Sequence, residues 1–135
     1  MTTCTRPIRR SLAIVLALSL TAPSGAHHGA TVFDRGNPIA VSGVIREFRW
    51  TSPHAWIYLE VPRAESGPGA TQIDQWAFEG ASISVMVRNG WKSSSLHAGD
   101  RVRVVAAPRK DGTHGGEFLS VTLTDTGKVL HLGVI

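Results

Sequence analysis

Hydrophobic and polar residues alternate along most of the chain beyond residue 40, a pattern typical of β-strands that are buried on one face. The clearest case is the segment 55–61, in which Ile57, Leu59 and Val61 share one face. Stretches rich in glycine, proline and polar residues separate these segments, as is typical of turns. The alternation predicts strands at residues 41–50, 55–61, 73–79, 101–106, 117–124 and 128–132.

Two of these strands carry local features that bear on the fold. Gly43 interrupts the first strand and predicts either a β-bulge or a close approach of the backbone to a neighbouring strand. In the strand 117–124, the alternation predicts that Leu119, Val121 and Leu123 point to the same side of the sheet.

One segment departs from strict alternation. Ile83, Met86 and Val87 fall at helical offsets, and Gly90 follows where a helix C-terminus favours glycine. This spacing predicts a short helix over residues 82–89. The same segment also fits a strand, because apolar side chains recur at every second position from Ile83 onwards.

The order of the predicted elements is three strands, a short helix and two or three further strands. The sequence Leu96-x-x-Gly-Asp100 leads into an alternating segment, as is common before the fourth strand of a small closed barrel. Closure of the sheet removes the exposed edges that an open sheet of five strands would leave. We therefore expect a mostly β fold: a small OB-fold-like closed barrel of five to six strands with one short helix.

The first 26 residues have the organisation of a secretory signal peptide. Arginines precede an apolar run at residues 12–20, which is too short to cross a bilayer, and small residues occupy positions 24–26. We expect cleavage after Ala26, which divides the chain into a signal peptide (1–26), an N-terminal arm (27–38) and a barrel domain (39–135). The expected location is the periplasm or the exterior, with no stable membrane anchor after cleavage.

Removal of the signal peptide would change both the net charge and the cysteine content of the chain. The chain has 135 residues and a formal net charge of +4. Because Arg6, Arg9 and Arg10 would leave with the signal peptide, the net charge falls to about +1, which removes the electrostatic case for nucleic acid or an anionic membrane as a partner. The single cysteine, Cys4, lies in the same segment, which excludes a disulfide framework, a cysteine-type zinc site and an iron–sulfur cluster.

The sequence contains none of the short motifs that mark common enzyme classes. It has no G-x-S-x-G elbow, no H-E-x-x-H, no G-x-x-x-x-G-K-[ST] and no Rossmann glycine run. Its carboxylates are scattered singly along the predicted strands, so their spacing identifies no acid–base pair. The sequence therefore predicts a binding module rather than an enzyme.

His27 and His28 form the first candidate site, because cleavage after Ala26 would place them at the new N-terminus. An N-terminal histidine can offer its α-amine and its own ring nitrogen to one metal ion, and such nitrogen ligands favour Cu(II). If Ala26 were retained, His28 would be the third residue, and the amine, two backbone nitrogens and His28 would bind Cu(II) or Ni(II) in a square plane. The alternative interpretation is a solvated tail whose histidines bind nothing.

His54 is the second candidate. Pro53 disfavours a helical conformation for Ser52, so the turn before the second strand holds His54 in a defined place. Its imidazole could supply a third ligand to a copper ion held by His27 and His28, or it could cap the turn. A copper-dependent oxidative enzyme with a histidine brace is a further alternative, which the predicted barrel disfavours because it offers no evident substrate cleft. The remaining histidines are expected at the surface: His97, His114 and His131.

Aromatic residues form the third candidate. If Ile57 and Leu59 fill the barrel, Trp56 and Tyr58 must face outward, and Trp50 lies just before the same strand. OB-type barrels bind their ligands on such outward faces. This pattern predicts binding of a small organic ligand, an oligosaccharide or an envelope protein. The alternative is that the N-terminal arm or the last strand covers the rings as a secondary core.

Several motifs together resemble a bacterial domain-of-unknown-function family of small exported proteins. They are Ala26-His27-His28, Phe33-Asp34, Trp50-Thr-Ser-Pro-His-Ala-Trp-Ile57, Trp76-Ala-x-Glu79-Gly80, Arg88-x-Gly-Trp91 and Leu96-x-x-Gly-Asp100. In that family the third motif usually has asparagine where this chain has Ser52. The resemblance spans nearly all of the chain beyond the signal peptide. It implies that the chain is a small exported protein, but it implies no activity.

Processing of the N-terminus gives the first testable prediction. Intact-mass measurement and N-terminal sequencing of material recovered from the cell envelope should show a chain that begins at His27, because the small residues at positions 24–26 fit the cleavage site. A mature chain that begins downstream of Gly29 would remove both candidate copper ligands and would contradict the prediction.

Overall fold

A computed structural model of the chain describes residues 32–63 and 72–133, together with Met1. The predicted signal peptide, His27 and His28 lie outside the described residues. The elements are β1 (Ile39–Arg49), β2 (His54–Pro62), β3 (Ile73–Ser82), α1 (Ile83–Arg88), β4 (Arg101–Pro108), β5 (Gly115–Leu123) and β6 (Val129–His131). Each predicted strand is present, and the short helix lies inside its predicted range.

The strands form one sheet in the order β3-β2-β1-β4-β5-β6. Every neighbouring pair in this order is antiparallel, whereas β3 and β5 pair in parallel and so close the first five strands into a barrel. Along the edge of β5 that does not pair with β4, the first residues of the strand pair with β3 and the later residues pair with β6. This architecture confirms the predicted OB-fold-like closed barrel, with one short helix and one extra strand.

The barrel interior is filled by side chains at alternate positions of the strands. Ile57 and Leu59 of β2 are fully buried there, beside Phe78 of β3 and Phe118 of β5. Trp91 follows the helix and is also buried; its indole Nε1 donates a hydrogen bond to the carbonyl oxygen of His131 at 2.7 Å. The indole thus joins the segment after α1 to the last strand.

The turn after α1 has the geometry that the sequence predicts. The helix ends at Arg88, with Asn89 as its C-cap residue, and Gly90 has a φ of +82°. Glycine adopts this left-handed conformation without the steric cost that a Cβ brings. Met86 is buried on the inner side of the helix, so even this short element contributes to the core.

The predicted orientation of Leu119 is wrong. Phe118 and Val121 are both fully buried, whereas Leu119 is 37% exposed. The pairing of β4 with β5 shifts register between Val105 and Ala106, so one residue of β5 is extra at this point. Such a bulge reverses the inside–outside alternation, which places Phe118 in the core and turns Leu119 outward.

Gly43 marks a close approach between strands, one of the two alternatives that the sequence leaves open. A Cβ at this position would lie 2.5 Å from the carbonyl oxygen of Glu60, which no side chain tolerates without a backbone shift. The register shift in β1 lies elsewhere, between Ile45 and Glu47. It makes Arg46 the extra residue of the strand.

Residues 32–35 pack against the end of β4. Phe33 is buried and forms an isolated bridge with Arg109, and the amide of Asp34 donates to the carbonyl oxygen of Pro108 at 2.8 Å. Arg35 then reaches the carboxylate of Glu117 on β5. The described part of the arm is therefore attached to the barrel by both backbone and side-chain contacts. Within the ranges that the structure describes, no helix has the length and apolar character needed to span a membrane.

Closure of the barrel gives the second prediction. Gly115 pairs with Ala77 across the parallel junction, and a Cβ on Gly115 would lie 2.2 Å from the carbonyl oxygen of Ala77. We expect Gly115→Ala to lower the free energy of unfolding in urea by about 1–3 kcal/mol, because β3 and β5 must move apart.

Gly133→Ala is the matched control, because no described atom lies within 4 Å of the Cβ that it would add. Equal stability of the wild type and Gly115→Ala would contradict this account of closure.

Candidate functional site

Alternation along β2 separates a buried face from an outward one. Ala55, Ile57 and Leu59 are fully buried, whereas Trp56 and Tyr58 are only half-buried. In the neighbouring strands, Trp56 lies opposite Arg49 of β1 and Glu79 of β3. We call the surface formed by Arg46, Arg49, His54, Trp56, Tyr58 and Glu79 the outer face.

The rings of Trp56 and Tyr58 form the centre of the outer face. Their centroids are 6.3 Å apart, and their planes differ by only 20°. Two guanidinium groups flank Tyr58, that of Arg49 at 4.8 Å and that of Arg46 at 5.4 Å from the ring centroid. The register shift in β1 explains the second of these contacts, because it makes Arg46 the extra residue beside Glu47.

Arg49 is held in place by a fork of hydrogen bonds. Its Nε and Nη2 donate to the two carboxylate oxygens of Glu47, at 2.9 and 3.2 Å, and its Nη1 donates to the hydroxyl of Tyr58 at 3.0 Å. The hydrogen bond with Glu47 raises the pKa of the Arg49 guanidinium, so the group stays charged at any pH of interest. The charge of Arg49 is thus balanced locally by Glu47.

His54 contacts Glu79 through its ring nitrogen Nδ1. Because a carboxylate only accepts hydrogen bonds, this contact places a proton on Nδ1. The other nitrogen, Nε2, has no hydrogen-bond partner in the part of the chain that the structure describes. A carboxylate that orients an imidazole in this way is a common arrangement behind metal-binding histidines.

Glu79 also has an acidic neighbour, Glu117, which forms an ion pair with Arg35. Glu79 lies opposite Glu117 in the parallel pairing of β3 and β5. Both oxygens of Glu117 accept from Arg35, from Nε at 2.8 Å and from Nη2 at 3.0 Å. The hydrogen bonds that Arg35 donates to Glu117 raise the pKa of the Arg35 guanidinium. Pairing with His54 and Arg35 offsets the repulsion that two adjacent carboxylates would otherwise exert.

Of the predicted site residues that the structure describes, three come together on the outer face: His54, Trp56 and Tyr58. Trp50 lies apart from them, packed partly against the core with its ring centroid 5.6 Å from that of Phe48. His27 and His28 lie outside the described residues. Of the other histidines, which are all exposed, His114 stacks on Trp76 at 4.6 Å with parallel planes.

The hydrophobic pattern and the motifs of the chain do not mark Glu79, Arg46 or Arg49 as site residues. Glu79 could have been placed on the outward face of β3 by alternation with Phe78, but its contact with His54 depends on the register between two strands. Nothing in the sequence signals the outward position of Arg46, which a register shift creates.

The described residues offer no ready-made metal centre. Across residues 32–63 and 72–133, no three histidine, cysteine, aspartate or glutamate side chains are grouped so that they could hold a metal ion. Any site that includes His54 would therefore need ligands from elsewhere in the chain.

Comparison with known proteins gives one match. A model of a family of unknown function, DUF6152, matches residues 15–118, which include every strand from β1 to β4 and the start of β5. No curated protein and no solved structure matches the chain. The family match indicates no enzymatic class, and it confirms the resemblance of the sequence motifs to a domain of unknown function. The chain thus belongs to the DUF6152 family of unknown function.

Proposed function

We propose that this chain is an exported, non-enzymatic binding module that holds an oligosaccharide on the outer face. The observation that carries the proposal is the pair of nearly parallel rings of Trp56 and Tyr58 on the outward side of β2. OB-type barrels bind oligonucleotides and oligosaccharides on the corresponding strands. The basic, apolar and small segments at the N-terminus support export.

The chemistry around the rings favours sugars. A flat aromatic platform stacks against the C–H face of a sugar ring, because the electron-rich ring face attracts weakly positive hydrogens. Along its rim, the carboxylate of Glu60 can accept hydrogen bonds from sugar hydroxyl groups, and the guanidinium of Arg46 can donate to them. Strand alternation places Glu60 on the same face of β2 as the rings, and the register shift in β1 brings Arg46 to this surface.

Charge argues against nucleic acid as the ligand. Single-stranded nucleic acids bind on aromatic platforms that are lined with unpaired cations. Here Arg49 is paired with Glu47, and Glu60 on β2 and Glu79 on β3 lie close to the rings. An uncharged ligand therefore fits this surface better than a polyanion does.

Binding of neutral oligosaccharides tests the proposal. Maltohexaose, cellohexaose and chitohexaose should be titrated against the mature chain, with tryptophan fluorescence and calorimetry as readouts. We expect at least one of them to bind, and Trp56→Ala to weaken that binding about tenfold or more, because loss of a stacking ring typically has an effect of this size.

Ile73→Ala is the matched control, because Ile73 is a half-exposed apolar residue of the same sheet that lies away from the rings. Wild-type affinity in a folded Trp56→Ala variant would contradict the proposal, as would the absence of binding by the wild type to all three sugars.

A second candidate function is the binding of copper by His27, His28 and His54. The contact between His54 and Glu79 favours it, because a carboxylate that holds Nδ1 leaves Nε2 as a donor for a metal ion. An N-terminal histidine would add its amine and ring nitrogen, which suit Cu(II). This candidate depends on cleavage after Ala26.

Cu(II) titration of the mature chain tests the second candidate. We expect one tight site, which the double variant His27→Ala/His28→Ala removes and which Glu79→Gln weakens about 10–100-fold, because an orienting carboxylate typically contributes that much to metal affinity. His97→Ala, which changes an exposed histidine in the turn before β4, is the control. Equal copper binding by the double variant and the wild type would rule the site out.

A further inference from the structure

A cleft lies on the barrel surface where β3 leaves β5. The parallel pairing of these strands ends at Glu79 and Glu117, and β6 takes over the free edge of β5 from Ser120 onwards. The gap between β3 and β6 forms a cleft of about 470 Å³, which we call the β5 cleft. This volume falls in the range of small-molecule binding sites. The lining residues are Arg35, Ala81, Glu117, Leu119, Ser120, His131, Leu132 and Gly133.

The β5 cleft has an apolar wall that strand alternation alone would not produce. The bulge in β5 turns Leu119 outward, where it is 37% exposed, while Phe118 takes the core position. Bulges occur often beside binding sites, where they redirect a side chain. Ala81 and Leu132 extend the apolar wall on either side of Leu119. An occupant with a hydrocarbon body would cover these side chains.

The polar end of the β5 cleft holds hydrogen-bond donors, the hydroxyl of Ser120 and one carboxylate that is already paired. Both oxygens of Glu117 already accept from Arg35, through Nε and Nη2. Arg35 Nη1 has no acceptor among the residues that the structure describes, and the exposed residue His131 lines the same cleft. A ligand carboxylate would accept hydrogen bonds from these donors, whereas a ligand ammonium would have to compete with Arg35 for the one carboxylate of the cleft.

We infer that the β5 cleft binds a small carboxylic acid with an unbranched hydrocarbon chain. The carboxylate lies against Arg35 Nη1 and the ring of His131, and the hydrocarbon covers Leu119, Ala81 and Leu132. This site is separate from the rings of Trp56 and Tyr58, and it does not depend on the function proposed for the outer face.

Trp91 provides a built-in reporter for this site. Its indole N–H donates to the carbonyl oxygen of His131, and His131 lines the cleft. Butanoate, hexanoate, octanoate and octylamine should be titrated into the ¹⁵N-labelled protein while the indole signals are followed by NMR. We expect a saturable shift of the Trp91 signal with octanoate, and an affinity that rises about fourfold with each added methylene group.

Three variants decide the assignment. Arg35→Gln should weaken octanoate binding about tenfold, because it removes a charged hydrogen bond, and Leu119→Asp should weaken it at least as much by placing a carboxylate in the cleft. Arg63→Gln is the matched control, since Arg63 also pairs with an acid, Asp74, but lies away from the cleft. The assignment is overturned if octylamine binds as tightly as octanoate, if octanoate gives no saturable shift, or if Arg63→Gln weakens binding equally.

Discussion

The parallel pairing of β3 with β5 is the contact on which the rest of the structure depends. It joins Ala77, Phe78 and Glu79 to the start of β5 and converts a sheet with two edges into a barrel. Gly115 and Gly116 make it possible, because a Cβ at either position would lie 2.2 Å from a carbonyl oxygen of a neighbouring strand. The glycine pair therefore allows β5 to fit closely between β3 and β4.

Both surfaces with binding potential derive from this closure. By joining β3 to β5, the closure places Glu79 beside Glu117, and each acid then pairs with a side chain from a different part of the chain. The end of the same short pairing leaves the gap that becomes the β5 cleft. The outer face and the cleft are thus neighbours on one side of the barrel, with the two glutamates between them.

Alternation in the sequence was sufficient to place the strands and the outward side of β2, and helical spacing was sufficient to place the short helix. Burial of every second residue is a local pattern, and Ile57 and Leu59 follow it without exception. Alternation was not sufficient to predict the orientation of the Leu119 and Arg46 side chains, because each orientation results from a register shift against a partner strand. A shift of this kind depends on two strands at once, so the pattern of either one alone does not reveal it.

The same reasoning separates the site residues that could be predicted from those that could not. Trp56 and Tyr58 are two positions apart on one strand, so their common face follows from the strand itself. Glu79 meets His54, and Arg35 meets Glu117, only after distant strands have paired. Trp50 lies beyond the end of β1, where alternation no longer determines the direction of a side chain, and it packs on Phe48 instead.

The topology also has a consequence for the order in which the barrel assembles. Strands β1, β2 and β3 are consecutive and antiparallel, so local hairpins can bring them together early. The free edge of β3 gains its partner only when β5 arrives, after α1 and β4. Without β5, the edge of β3 presents unpaired backbone groups, and an edge of this kind is where a strand of another chain can add. Docking of the fifth strand therefore removes a site for self-association.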